Sequence, residues 1–135
     1  MAQTLLVQDL MTRSPLTIEA SSSLADARRL MKRHGVRHLP VMDEGVLVGL
    51  ISDRDVKLIE AHTKSDPNDI SLAQAMSRAP WTVAPSTPLE VAARHMARHK
   101  LGSSVVVDNE QQVVGIFTSQ DGLRALAQVL SAARR

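Results

Sequence analysis

Residues 11–18 of this chain read Met-Thr-Arg-Ser-Pro-Leu-Thr-Ile, and residues 76–83 repeat them as Met-Ser-Arg-Ala-Pro-Trp-Thr-Val. The same offset relates many later positions, until one extra residue enters the second copy within a polar turn. Beyond that turn Asp55 matches Asp121. A duplication with a single slip in a turn predicts two similar units that share one compact domain, packed about a pseudo-twofold axis with paired clefts between them.

The composition is that of a globular protein, with 44% hydrophobic residues among 135. No apolar run approaches the roughly 20 residues that span a bilayer, so no membrane association is expected. The first residues, Met1–Thr4, lack the basic start and apolar stretch of a signal peptide. The absence of cysteine excludes disulfides and thiolate metal sites, and we expect a cytoplasmic location.

Charge and aromatic content argue against nucleic-acid binding. The 16 basic and 14 acidic residues leave a formal net charge of only +2, which is too balanced to indicate nucleic-acid binding by itself. With one Trp, one Phe and no Tyr, the chain also lacks a platform on which successive bases could stack.

Each copy is predicted to form a short strand, a helix, two further strands and a second helix, which places the chain in the α/β class. Ser22 or Ser23 can cap the first helix of copy one. In copy two Thr87 is predicted to cap the equivalent helix, with Pro88 in the first turn and Glu90 completing a capping box.

These first helices are predicted to end near Gly35 and Gly102. Two apolar runs joined by a polar turn follow each helix and predict hairpins, at residues 39–42 with 46–51 and at residues 104–107 with 113–117. The second helices are predicted over residues 53–61 and 119–132. The expected division is a first repeat, a polar linker and a second repeat, at residues 1–62, 63–71 and 72–135.

A hydroxyl and an aspartate recur as Ser/Thr-x-x-Asp at the start of each second helix: Ser52 with Asp55, and Thr118 with Asp121. In one interpretation the motif only caps the helix, since the hydroxyl accepts a backbone N–H and the aspartate favours the first turn. In the other, the carboxylate accepts hydrogen bonds from a vicinal diol such as ribose, at a helix N-terminus whose N–H groups face the ligand. The two roles are compatible because a carboxylate has more than one acceptor site.

Residues 35–43, Gly-Val-Arg-His-Leu-Pro-Val-Met-Asp, and residues 46–55, Val-Leu-Val-Gly-Leu-Ile-Ser-Asp-Arg-Asp, resemble the cystathionine-β-synthase (CBS) domain. With its second copy the chain is similar to a tandem CBS pair, or Bateman module, over residues 7–127. The resemblance implies a β-α-β-β-α fold for each copy and a stand-alone regulatory module, not an enzyme. It also implies homodimers assembled through helices, and adenosine-containing ligands bound in clefts between the copies.

The resemblance further implies roles for particular residues. Ribose contacts are expected from Ser52 with Asp55 and from Thr118 with Asp121. Adenine contacts are expected from the first strand of each copy, at Leu16, Thr17 and Ile18 and at Trp81, Thr82 and Val83. Because related clefts combine the two copies, Asp121 is expected opposite residues 16–18, and Asp55 opposite residues 81–83.

The resemblance places phosphate contacts on basic residues before the second strand. Copy one carries three basic residues near the ends of its hairpin strands, Arg37, His38 and Arg54. Their counterparts in copy two are uncharged: Gly102, Ser103 and Gln120. The cleft completed by Asp55 is therefore expected to prefer phosphorylated ligands, and the cleft completed by Asp121 to accept neutral or cationic adenosine compounds.

Other features leave alternatives open. His95 and His99 could hold a metal at helical spacing, but no third ligand is evident and a solvated basic face is favoured. Trp81 could form a wall against adenine or could pack in the core. Leu123, Leu126 and Leu130 have the spacing of an apolar helix face that covers a dimer or partner surface.

Together these patterns favour a regulatory module that senses AMP, ADP or ATP, with S-adenosylmethionine or NAD as related ligands. No cofactor is expected, and the regulated protein is unknown. The alternative is a structural protein–protein interaction module whose clefts stay unoccupied.

Overall fold

The structure, a computed structural model, describes residues 4–134. Six α-helices form within that range: α1 Val7–Leu10, α2 Leu24–His34, α3 Asp53–His62, α4 Leu72–Ala75, α5 Leu89–His99 and α6 Ser119–Ala133. The strands are β1 Thr12–Arg13, β2 Ile18–Glu19, β3 His38–Asp43, β4 Val46–Ser52, β5 Ser77–Arg78, β6 Thr82–Val83, β7 Ser103–Val107 and β8 Val113–Thr118. The predicted α/β class is confirmed.

The chain divides into two compact units that do not coincide with the sequence repeats. Residues 16–80 form one, here called the central unit. Residues 1–15 join residues 81–135 in the other, here called the composite unit. Each compact unit therefore combines most of one repeat with the first residues of the other.

The two sheets have the same strand order. In the central unit the order is β2-β3-β4-β5, and in the composite unit it is β6-β7-β8-β1. The predicted hairpins are confirmed as the antiparallel pairs β3/β4 and β7/β8, and the first strand of each repeat lies parallel beside its hairpin. Strands β5 and β1 complete the sheets, each antiparallel to the second hairpin strand.

A glycine and a methionine allow each of these fourth strands to approach closely. Gly115 of β8 faces the side chain of Met11, and Gly49 of β4 faces the side chain of Met76. A Cβ at Gly49 would lie 2.8 Å from the carbonyl oxygen of Ser77, which is closer than van der Waals contact allows. These glycines are therefore required by the pairing of β1 and β5.

Two glycines of the composite unit are expected to respond to alanine in opposite directions. A Cβ at Gly122 in α6 would meet only the Phe117 ring, at 3.8 Å, so Gly122→Ala should stabilise the fold by about 0.5–1 kcal/mol. A Cβ at Gly115 would lie 3.1 Å from the carbonyl oxygen of Thr12 and would displace Met11, so Gly115→Ala should destabilise it. Urea denaturation measures both changes in the free energy of unfolding. If both variants were stabilised, or both destabilised, this explanation would be wrong.

Each unit has its own hydrophobic core. The buried core of the central unit consists of Ile18, Leu24, Ala27, Met31, Leu39, Val41, Ile51, Val56 and Leu72. That of the composite unit consists of Val7, Val83, Leu89, Ala92, Met96, Val106, Phe117 and Ala125. Because Val7 belongs to the second set, the N-terminal segment contributes to the core around the second repeat.

One cross-strand pair differs in size between the cores. Leu39 pairs with Ile51 in the central unit, whereas Ser104 pairs with Phe117 at the equivalent register of the composite unit. All four residues are buried. The small serine in one strand thus leaves room for the larger phenylalanine in the other.

The predicted start and end of α5 were wrong in detail. Pro88, not Thr87, occupies the N-cap position, and no side chain caps the helix there. The Thr87 hydroxyl instead accepts the N–H of Ala84 at 3.1 Å, while the Leu89 N–H donates to the carbonyl of Leu5 at 2.8 Å. A tertiary backbone bond thus replaces the expected side-chain cap.

The far end of α5 stops at His99, and Lys100 takes the left-handed conformation with φ of 57°. The equivalent helix α2 does end at Gly35, with φ of 65°. Its predicted cap is confirmed as well, because Ser23 accepts the N–H of Asp26 at 3.1 Å. Gly35 therefore predicted the end of α2 correctly, whereas at the end of α5 Lys100 adopts the same left-handed conformation without being a glycine.

Candidate functional site

Both Ser/Thr-x-x-Asp motifs lie where a hairpin strand passes into a helix, and both form capping boxes. The Ser52 hydroxyl accepts the N–H of Asp55 at 3.1 Å, and the Asp55 carboxylate accepts the N–H of Ser52 at 3.1 Å. At the start of α6 the Thr118 hydroxyl accepts the N–H of Asp121 at 3.3 Å, and Asp121 accepts the N–H of Thr118 at 2.9 Å. The capping interpretation is confirmed, and the ribose contact stays a prediction.

The Asp55 carboxylate keeps free acceptor capacity. Its Oδ2 accepts the Ser52 N–H, and no other residue in the described range donates to it. The side chain is half-buried, so it remains in contact with solvent. Since a carboxylate has about four acceptor sites, room remains for the two hydroxyls of a diol.

Donors surround the Asp121 carboxylate, and the residue as a whole is only 2% exposed. Its Oδ1 accepts from the Arg124 guanidinium at 3.0 Å and from the Thr12 hydroxyl at 3.3 Å. Its Oδ2 lies 3.1 Å from the Thr118 hydroxyl and accepts the Thr118 N–H. We call Thr12, Thr118, Asp121 and Arg124 the Asp121 cluster; sequence reasoning did not include Thr12 or Arg124 in it.

The basic residues expected near Asp55 do lie at the same edge of the central sheet. His38 pairs with Ser52 across the hairpin, and the Asp53 N–H donates to the carbonyl of Arg37 at 2.8 Å. Arg37 and Arg54 are both exposed. The β3 start, the β4 end and the α3 N-terminus therefore bring the backbones of Arg37, Arg54 and Asp55 to one edge of the central sheet.

Burial lowers the pKa of His38 below its ordinary value of 6.5. The Asp55 carboxylate opposes this shift and the Arg37 guanidinium adds to it, but burial has the larger effect. His38 is therefore neutral at pH 7, and at that pH it offers a neutral N–H rather than a positive charge. The expected contact between His38 and phosphate stays a prediction, with a neutral N–H as the donor at that pH.

The pKa of His38 also predicts how stability depends on pH. A histidine whose pKa is lower in the folded state binds protons more readily when unfolded, so folding loses stability as pH falls through the ordinary value near 6.5. Chemical denaturation between pH 7.5 and pH 5 should show that the free energy of unfolding falls more steeply with decreasing pH in the parent protein than in His38→Asn. Parallel slopes would contradict this, and NMR titration of the His38 ring gives its pKa directly.

The equivalent edge of the composite unit has the same backbone geometry and different chemistry. Ser103 pairs with Thr118 across the hairpin, and the Ser119 N–H donates to the carbonyl of Gly102 at 2.9 Å. Ser103 and Ser104 are buried, and their hydroxyls have no partner among residues 4–134. As expected from the sequence, these positions carry no charge.

Trp81 lies just before β6 and stacks on a histidine. Its ring centroid is 3.6 Å from that of His95, with 20° between the planes, and His95 lies 4.3 Å from His99. Trp81 also packs against the composite core. No group of three His, Cys, Asp or Glu side chains that could hold a metal occurs in the described part of the chain.

The remaining adenine candidates lie in or just before β2 and β6, because residues 16 and 17 precede β2 rather than belonging to it. Ile18 is buried in β2 beside Val41, while Leu16 and Thr17 are exposed. In the composite unit, Thr82 is half-buried and Val83 is buried. The pairing of each aspartate with the first strand of the other copy stays a prediction.

A family model described as CBS domain matches residues 7–61 and again residues 69–128. The chain is 32% identical to the CBS domain-containing protein YhcV of Bacillus subtilis over 115 residues, which are 85% of this chain and 81% of that protein. Longer enzymes also match, and the chain spans only 22% to 24% of their length.

Two solved structures are similar throughout. The CBS domain pair of protein MJ0100, in complex with 5′-methylthioadenosine and S-adenosyl-L-methionine, has a TM-score of 0.85 and 30% identity, covering 93% of this chain and 98% of that one. CBSX2 of Arabidopsis thaliana, in complex with AMP, has a TM-score of 0.77 and 32% identity, covering 92% and 97%. None of the helices described is long and apolar enough to cross a membrane.

Proposed function

The chain belongs to the CBS domain family, and from that premise we propose that it is a regulatory module that binds adenosine-containing ligands. The observation that carries the proposal is the open Asp55 carboxylate, which has one internal donor and lies at the N-terminus of a ten-residue helix. An ionised acceptor in this position suits the vicinal hydroxyls of ribose, because hydrogen bonds to charged groups are the stronger kind.

The ligand at Asp55 is a phosphorylated one, such as AMP, ADP or ATP. Arg37 and Arg54 lie at the same sheet edge and are exposed, and a guanidinium binds phosphate oxygens through paired N–H groups. The α3 N-terminus adds a favourable partial charge for an anion. Since His38 is neutral at pH 7, the two arginines account for the charge.

At Asp121 the uncharged Gly102 and Ser103, which stand where the first repeat has Arg37 and His38, favour a neutral or cationic compound such as S-adenosylmethionine; NAD is a further option for the module. The two similar structures support this range of ligands. One is a complex with AMP, and the other is a complex with two sulfur-containing adenosine compounds. Different chemistry at the two sheet edges thus supports two different preferences within one chain.

Removing the Asp55 carboxylate is expected to weaken AMP binding about 10- to 100-fold, because a hydrogen bond to a charged group contributes about 1.5–3 kcal/mol. Isothermal titration with AMP and with adenosine should show this loss for both ligands in Asp55→Ala. Asp53→Ala is the matched control, since Asp53 lies in the same helical turn and pairs with Lys57 at 3.0 Å. Unchanged affinity in a folded Asp55→Ala protein would overturn the ribose assignment.

The second candidate function is protein–protein interaction, and the outer face of α6 favours it. Leu123, Leu126, Val129 and Leu130 are between 49% and 67% exposed, an apolar stripe larger than isolated surface residues explain. We propose that a second copy covers it in a homodimer. Sedimentation at micromolar concentration tests the dimer, and a titration in which AMP, ATP and S-adenosylmethionine all fail to bind would favour interaction as the sole function.

A further inference from the structure

Beyond the binding of adenosine compounds, and resting on that function, we propose that Arg124 and Thr12 keep the Asp121 site closed to ligand. On this proposal the two aspartate motifs are not equivalent. Asp55 is open in the resting protein, whereas Asp121 binds ribose only after Arg124 has left its carboxylate.

The acceptor sites of the Asp121 carboxylate are all in use. Its carboxylate already meets four donors: the Thr118 N–H, the Thr118 hydroxyl, the Thr12 hydroxyl and the Arg124 guanidinium. A carboxylate offers about four acceptor sites, so no pair of sites remains for a diol. A ribose can bind here only by displacing one of these donors.

Arg124 is the donor that can leave. Its side chain is 64% exposed, while the carboxylate that it contacts is 3% exposed. The guanidinium can therefore turn into water and regain hydration. Strand pairing fixes the backbone of Thr12 in β1, opposite Ile116, and that of Thr118 in β8, opposite Ser103.

The first repeat lacks this arrangement at the equivalent positions. Leu58 stands where the second repeat has Arg124, and Ser77 stands where the N-terminal segment has Thr12. Leu58 is apolar and 48% exposed, and within residues 4–134 Ser77 makes no hydrogen bond to Asp55. Two positions thus separate the open site from the closed one: Leu58 against Arg124, and Ser77 against Thr12.

Opening the site costs the ion pair between Arg124 and Asp121. Arg124 is the cationic partner of Asp121, and a buried carboxylate that loses its cationic partner needs another donor in its place. A ribose supplies two hydroxyls, which replace the lost hydrogen bonds only in part. The apparent affinity at Asp121 is therefore lowered about 10- to 100-fold relative to the same site without arginine.

The test is isothermal titration of the full chain with adenosine, which has no phosphate that could interact with an introduced arginine. Asp55→Ala isolates the Asp121 site, and Arg124→Leu is added to it. We expect adenosine affinity to rise by about 10-fold or more on this addition. Arg94→Leu in the same background is the control, because Arg94 pairs with the exposed Glu90 on α5 and should change nothing.

The reverse substitution does not depend on how well Arg124→Leu folds. Leu58→Arg introduces the same contact beside Asp55 and should lower adenosine affinity there by a similar factor. A protein in which neither substitution changes affinity, while the parent binds adenosine through Asp55, overturns the closing role of Arg124 and leaves the proposed function standing. If no variant binds any adenosine compound, the proposed function is overturned and the closing role with it.

Discussion

Replacing Phe117 with alanine is expected to lower the free energy of unfolding by about 3–5 kcal/mol, the cost of removing a buried aromatic ring. Phe117 is 1% exposed and fills the space that its strand partner Ser104 leaves beside it. Serine cannot occupy the resulting cavity, so little relaxation is available. A protein of this size has a total stability of about 5–15 kcal/mol, and the variant should therefore be marginal at 37 °C.

A two-residue exchange tests the reason for this loss. Phe117→Ile alone leaves a cavity, and Ser104→Leu alone overfills the core. Together they recreate the Leu39 and Ile51 pair of the central unit, so the double variant should be more stable than the sum of the single effects implies. Strict additivity in urea denaturation would show that the two side chains do not share this space.

Deleting residues 1–15 is expected to unfold the composite unit while the central unit stays folded. The deletion removes β1, the buried Val7 and the Met11 side chain that covers Gly115. It also leaves Leu89 without the Leu5 carbonyl that its N–H donates to at 2.8 Å. The loss of buried apolar surface, of one strand and of the hydrogen bond to the Leu89 N–H together should exceed the free energy of unfolding of so small a unit.

Hydrogen exchange distinguishes the two units in this deletion. Amides of the β7/β8 hairpin should lose protection, and those of the β3/β4 hairpin should keep it. The fluorescence of Trp81, the one tryptophan of the chain, should shift toward that of an exposed indole. Gln8→Ala, which changes an exposed side chain in the same segment, should leave protection intact in both units. Retained protection in β7/β8 after the deletion would refute the composite unit.

Sequence patterns predicted the parts of the fold that depend on local chemistry. The hairpins follow from apolar runs around polar turns, and the starts of α3 and α6 follow from Ser52 and Thr118 because a capping box is specified within four residues. The site motifs are found for the same reason. Arg37 and Asp55, far apart in sequence, lie at the same sheet edge because the ends of a hairpin lie side by side.

Features that depend on distant partners escaped prediction. Strands β1 and β5 are two residues long, too short for any periodicity, and their pairing is set by Met11 and Met76 lying over glycines in another strand. Lys100 adopts a conformation in which glycine is usual, so its helix end carried no signal. Arg124 and Asp121 have a spacing that on a helix surface means only a weak ion pair, and the role of Thr12 needs the strand pairing of β1.

The composite unit also sets the order in which the chain can finish folding as it is synthesised. All of residues 16–80 are available as soon as Pro80 has left the ribosome, so that unit can close early. Thr12 must wait for Ile116, its partner in β8, and at about 5–20 residues per second of synthesis this delay lasts several seconds. During that time Val7 and Met11 are exposed on the nascent chain. We expect chaperone binding or misfolding of the composite unit to occur in this interval.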